Sequence, residues 1–306
     1  MPRREEQSKP SKVYGLRHDT FPCAPERLDI HRHWCLTDSR KACRKRPHPL
    51  FGKRSVTYAL NRAGYRCPDF DRNLVADPSC FKLVVLGGSE TFGVGLPADK
   101  LYVNLLASRL ERVLGKQVVA WNLGLPLAGS GFIARMLYPV IHMLSPDFLF
   151  LNFPECSGYR EYFNDNDEIF FCEPEGIAHR RKISRLWDPE ASRVDRAHLA
   201  LASSFNNAMN FWNDYYYCEF LCHYHGIDWL YSVPDIAAVG PGAESAAAHR
   251  RVACVIHQFM QPQAQGEAEE YLLARDFIHP GMLPHQAFAD AIYDAYEARG
   301  AAEHPV

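Results

Sequence analysis

A serine hydroxyl becomes a nucleophile when an imidazole takes its proton and a carboxylate holds that imidazole in one tautomer. The chain carries these groups in two stretches: Ser89 in FKLVVLGGSETFGVGL (81–96), and Asp276 with His279 in RDFIHPG (275–281). Residues 83–86 are a short continuous apolar run broken by Gly87 and Gly88, which predicts a buried parallel strand feeding a tight turn that bears Ser89. At the carboxyl end of a central strand, beside a helix amino terminus, a hydroxyl faces the ligand crevice of an open α/β sheet, and backbone N–H groups there can hold an oxyanion. Asp276 and His279 stand three residues apart on a loop before the last helix. The carboxylate can reach back to one imidazole nitrogen while the other faces Ser89. Each residue also has a plainer role: Ser89 as a helix N-cap, Asp276 as a turn cap with Pro280 opening the last helix. The joint occurrence, in the order Ser, Asp, His, favours the catalytic reading.

These groups need a sheet to bring them together. After the strand at 83–86, the periodicity predicts a helix over 99–114, with Leu101, Leu105, Leu106, Leu110, Val113 and Leu114 on one face and Gly115 in the stop position. A strand at 117–122, a loop at 123–131, a helix at 132–144 and a strand at 147–153 follow. Beyond an interruption come one long aromatic-rich helix over 198–225, a strand at 227–232, a helix over 246–260 and a closing amphipathic helix over 283–299. Upstream, the alternation of Val56, Tyr58 and Leu60 predicts a strand entering the domain. Strands alternating with helices predict a doubly wound α/β fold, a parallel sheet covered on both faces. The expected organisation is a basic, partly disordered extension over 1–54 and one folded domain over 55–306. A polar, aromatic-rich insertion at about 155–195 is expected to form a lid or a substrate wall.

The chain has 306 residues and a formal charge of −2, which argues against a dedicated nucleic-acid binder although its first third is basic. With no long apolar run and no apolar segment behind the basic amino terminus, the expectation is a soluble, cytoplasmic protein without a membrane span. Its ten cysteines are scattered and are expected to stay reduced, as small buried hydrophobes. His31, His33, Cys35, Cys43 and His48 match no zinc-ligand spacing, and Arg44, Lys45 and Arg46 read as a solvated face. Cys218, Cys222, His223 and His225 lie on a helical pattern, where an aromatic-helix core is the expectation over a metal. GGSETFGVG lacks the Lys-Ser/Thr pair of a phosphate loop and is not a dinucleotide fingerprint, so no cofactor is expected. His285 is expected to pack under the last helix.

Taken together, GGSETFG, WNLGLPLAGS and DFIHPG resemble the first, second and last blocks of the SGNH/GDSL hydrolase family, and LNRAGYR resembles a segment that often precedes the first block. The resemblance runs from about Val56 to Arg299 and implies a flavodoxin-like three-layer α/β/α fold. It implies Ser89 as nucleophile, His279 as general base and acid, and Asp276 as its orienting partner. The oxyanion donors it implies are the Ser89 amide, the Leu127 amide and a third group. At that third position the family has Asn and this chain has Cys156, a poorer donor, so Asn152, Tyr159 or Arg160 is the alternative. Gly88 stands where the family's first block has Asp. Gly88, Glu90, Gly129, Tyr159 and Arg160 are the residues expected to meet a small-molecule or acylated substrate. The activity implied is ester hydrolysis through an acyl-Ser89 intermediate, with acyl transfer from the same intermediate or a non-catalytic binding role as alternatives.

Overall fold

The computed structural model describes residues 40–61, 63–154, 160–163, 169–172, 189–234, 250–260 and 271–303. In chain order the elements are α1 (Arg40–Lys45), α2 (Arg72–Ala76), β1 (Phe81–Gly87), α3 (Ser89–Phe92), α4 (Tyr102–Leu114), β2 (Val118–Gly124), α5 (Ser130–Leu144) and β3 (Phe148–Asn152). A hairpin, β4 (Arg160–Phe163) with β5 (Ile169–Cys172), is followed by α6 (Pro189–Leu201), α7 (Ser204–Tyr224), β6 (Trp229–Ser232) and α8 (Met282–Glu303).

Four strands form a parallel sheet in the order β2-β1-β3-β6. Both faces are covered, because successive side chains of each strand enter different cores. Val84, Leu86, Trp121, Leu149 and Leu151 pack on the side of α5 and α7, while Leu83, Val85, Phe148, Phe150 and Leu230 pack with α4 and α8. The order places β1 between β2 and β3. The chain leaves β1 toward one neighbour and later returns on its other side, which opens the crevice at the carboxyl ends of β1 and β3. Gly87, Gly124 and Asn152 are in register at that edge.

The doubly wound α/β architecture is as the alternation predicts, with three local differences. Residues 55–60 make no strand: Tyr58 and Leu60 do pack inward on Phe92 and Val94, but through an extended segment without a ladder. Alternation reports which side faces a core, not whether a strand lies alongside. The helix predicted over 198–225 is two helices. Ser203 adopts extended φ and ψ of −144° and 156°, and its hydroxyl accepts the Asn206 N–H, starting α7 afresh. The helix predicted over 246–260 is reduced to a 3-10 turn, Ile256–Met260, and residues 246–249 fall outside the described residues. Residues 250–252 instead run beside β6, where Val252 N–H donates to Tyr231 O at 2.8 Å. That covers an edge that would otherwise present unpaired backbone groups. Among the described residues no helix is long and apolar enough to cross a membrane.

Candidate active site

Ser89 is the first residue of α3, immediately after the carboxyl end of β1, and is half-buried. The turn is packed from below. A methyl group on Gly124 would lie 2.2 Å from the Phe92 nitrogen, so the end of β2 can approach α3 only as glycine. A polar network holds the underside of the helix. Asn122 donates from Nδ2 to Thr91 O at 2.6 Å, Asn152 donates from Nδ2 to the Thr91 hydroxyl at 3.2 Å, and that hydroxyl meets the Tyr102 hydroxyl at 2.8 Å. Arg66, from the LNRAGYR segment, closes the far side with donations to Phe92 O, Gly93 O and Leu96 O. The loop after β2 lies against the serine turn, since Leu125 N–H donates to Gly87 O at 3.0 Å and a methyl on Gly88 would sit 3.8 Å from Ala128 O. Within this loop Leu127 has φ of 63°, a left-handed conformation uncommon for leucine.

Asp276 and His279 meet in a closed turn between Leu272 and Gly281. Asp276 Oδ1 accepts the backbone N–H groups of Ile278 and His279, both at 3.1 Å, and Oδ2 accepts from His279 Nδ1 at 2.5 Å. Burial would raise the Asp276 carboxyl, but the ring bond and charge of His279 and the two amides outweigh it and hold it below the ordinary carboxylate range. With the proton on Nδ1 facing an ionised carboxylate, the neutral ring presents its lone pair at Nε2.

The two stretches are adjacent in space although Gly95 and Asp276 stand 181 positions apart in number. The loop that follows α3 is bonded to the turn: Arg275 N–H donates to Gly95 O at 3.0 Å, and a methyl on Gly95 would lie 3.3 Å from the Asp276 nitrogen.

No family model matches the chain, and no curated protein does. Among solved structures it is similar to TesA, with 13% identity, 71% of this chain and 98% of that one covered, and a TM-score of 0.42. It is also similar to a psychrotrophic esterase, EstA from Pseudoalteromonas sp., at 13% identity, with 71% and 97% covered and a TM-score of 0.42. A third is a putative lipolytic protein of the G-D-S-L family from Desulfitobacterium hafniense, at 11% identity, with 70% and 98% covered and a TM-score of 0.42.

The remaining predicted residues divide by location. Gly88 is the N-cap of α3, and Glu90 lies beside Ser89 with its carboxylate 3.4 Å from His257 Nε2. Gly129 is the buried N-cap of α5. Arg160, at the start of β4, is engaged at the same end of α5: its Nη1 lies 3.2 Å from Asp214 Oδ2, which also accepts from the Ser130 hydroxyl at 2.5 Å. Asn152 is buried with one carboxamide N–H given to Thr91. Cys156 and Tyr159 lie outside the described residues, as do His31, His33 and Cys35. His285 lies in the first turn of α8 and is buried on the side of that helix that faces α4. Its Nδ1 accepts the Tyr102 N–H at 3.0 Å and so caps α4 from a distance, and burial, followed by the charges of Arg66 and His279, lowers its pKa to about 3. Cys218 and Cys222 belong to the apolar core beneath α7. Sequence reasoning missed the bracing roles of Arg66, Thr91, Tyr102 and Arg275. An arginine inside LNRAGYR and another next to Asp276 were the visible signals.

Proposed function

We propose that this chain is a serine ester hydrolase of the SGNH/GDSL kind, with Ser89, His279 and Asp276 as its triad. The observation that carries the proposal is the Asp276–His279 pair. An ionised, triply bonded carboxylate holds the imidazole in the tautomer a general base needs, in a turn bonded to the loop that follows the serine helix. His279 Nε2 takes the Ser89 proton as Oγ attacks the ester carbonyl. The Ser89 and Leu127 amides receive the oxyanion, and the left-handed Leu127 turn, packed against Gly88, supports that assignment. His279 then returns the proton to the leaving alcohol, giving acyl-Ser89, and activates the water that releases the acid. Gly88, Glu90, Gly129 and Arg160 are the residues placed to meet the substrate in this reading. The free thiols of Cys67, Cys80, Cys218, Cys222 and Cys254 support a cytoplasmic enzyme.

The test is labelling with a fluorophosphonate and turnover of short-chain p-nitrophenyl esters. Both should occur in the full chain and vanish in Ser89→Ala; labelling that survives this change would place the nucleophile elsewhere.

A further inference from the structure

The Asp276–His279 turn lies off the sheet, and a segment from the other end of the chain holds it. Arg275 is 1% exposed, an expensive place for a charge unless its donors are occupied. Its guanidinium donates to three carbonyls of one short segment: Nε to Arg54 O at 2.9 Å, Nη1 to Arg46 O at 3.0 Å and Nη2 to Cys43 O at 2.9 Å. On the next face of the turn, His48 Nδ1 accepts the Leu50 N–H at 3.1 Å, leaving Nε2–H to donate to Leu273 O at 3.3 Å. Paired backbone bonds between His48 and Gly52, at 2.8 and 2.7 Å, close the segment into a tight loop.

Phe277, inside the turn, has φ of 61°, a conformation a bulky side chain rarely takes without support. The support is visible. The Arg46 guanidinium lies 3.8 Å from the centre of the Phe277 ring, and the His48 ring stands 4.8 Å from it on a tilted approach. The left-handed residue sits between Asp276, whose carboxylate must accept the Ile278 and His279 amides, and His279, whose ring must turn back to that carboxylate. Relaxing φ at this position swings the imidazole away from its partner.

We infer that residues 43–54 are a clamp that sets the His279 ring, with Arg275 as its pin and Phe277 as the surface it grips. Its consequence for turnover rests on the hydrolase reading; its consequence for the Asp276–His279 bond does not. Arg275, Arg46 and His48 are positioning residues, since they act through the turn. Simple packing of this segment would need no planar fork, and lysine, with a single nitrogen, cannot reach three diverging carbonyls.

The experiment uses the full chain with Arg275→Lys, Arg46→Ala, Phe277→Gly and the double variant of the last two. The first readout is the low-field proton of His279 Nδ1–H by NMR, assigned by its absence in His279→Gln. The second is kcat and KM on a short-chain p-nitrophenyl ester. Arg275→Lys should weaken and broaden the resonance and lower kcat about tenfold or more with KM nearly unchanged. Arg46→Ala, at an exposed position that does not threaten folding, should lower kcat about threefold, and that effect should disappear in the Phe277→Gly background. An unchanged resonance in both Arg275→Lys and Arg46→Ala overturns the clamp even if the wild type is an active esterase. A resonance perturbed in these variants, in a protein whose wild type turns over no ester, keeps the clamp and removes the hydrolase reading. If Arg275→Lys does not fold, Arg46→Ala and its cycle with Phe277→Gly decide alone.

Discussion

The two halves of the candidate site are built by different means. The serine half is an outgrowth of the sheet: Ser89 follows directly on β1, the end of β2 packs against its helix through Gly124, and a buried network of Asn122, Asn152, Thr91 and Tyr102 fills the space below. Among the described residues the imidazole half has no strand beneath it. Side chains and single backbone bonds hold it to Gly95 and to residues 43–54. A group supported by a ladder and a packed core is tied to global stability, whereas one held by a few side-chain contacts can lose its geometry while the fold stays intact. Damage to the serine half should therefore show first as unfolding, and damage to the imidazole half first as lost turnover.

The sharpest break comes within the imidazole half. Asp276→Asn should lower kcat by about 10⁴-fold, because an amide no longer fixes the tautomer, while the unfolding midpoint at neutral pH moves much less. Steady-state kinetics with thermal unfolding on the same sample checks both. In the serine half, Gly124→Ala drives a methyl into the Phe92 backbone and should cost about 3 kcal/mol in denaturant unfolding. Thr91→Val strands the Tyr102 hydroxyl and the Asn152 amide, and should cost about 2 kcal/mol by the same measurement. Finding the Thr91 variant as stable as wild type would dissolve the contrast.

The last expected effect appears only on acidification. His285 is held neutral by burial, with a pKa near 3 against an ordinary 6.5, so between these values the unfolded chain binds a proton that the folded chain does not. Stability contributed there is complete above pH 6.5 and declines as pH falls toward 3; unfolding midpoints of His285→Gln should decline less over that window. Asp276 acts in the same direction at lower pH. Its depressed carboxyl contributes fully above the ordinary carboxylate range and loses that contribution as pH falls through its folded value.

The sheet was legible in the sequence because its strands are buried on both faces: short apolar runs such as LVVL and FLFL, bounded by polar residues, glycine or proline, are what a strand with a core on each side requires. The place of Ser89 at the end of β1 and the contact between Asp276 and His279 were legible through the turn glycines and the three-residue spacing. The bracing was not. Thr91, Tyr102 and Asn152 converge from three elements, and no local pattern encodes a meeting between distant positions. Arg275 in sequence is one more surface-type charge, and only the surrounding carbonyls reveal it as buried. The break at Ser203 was readable in principle, since Ser-Ser before Phe205 carries a cap signal, but the aromatic run on either side masked it.

The docking of residues 43–54 on residues 273–277 also has a consequence in time. Cys43 and Arg275 stand 232 positions apart, so the amino-terminal arm leaves the ribosome long before its berth has been translated. The sheet can assemble while that arm waits, and the imidazole is set only when the tail of the nascent chain arrives. On the proposed reading, ester turnover should then lag behind the burial of Trp121 and Trp229 during refolding, as a late step that completes a framework already standing.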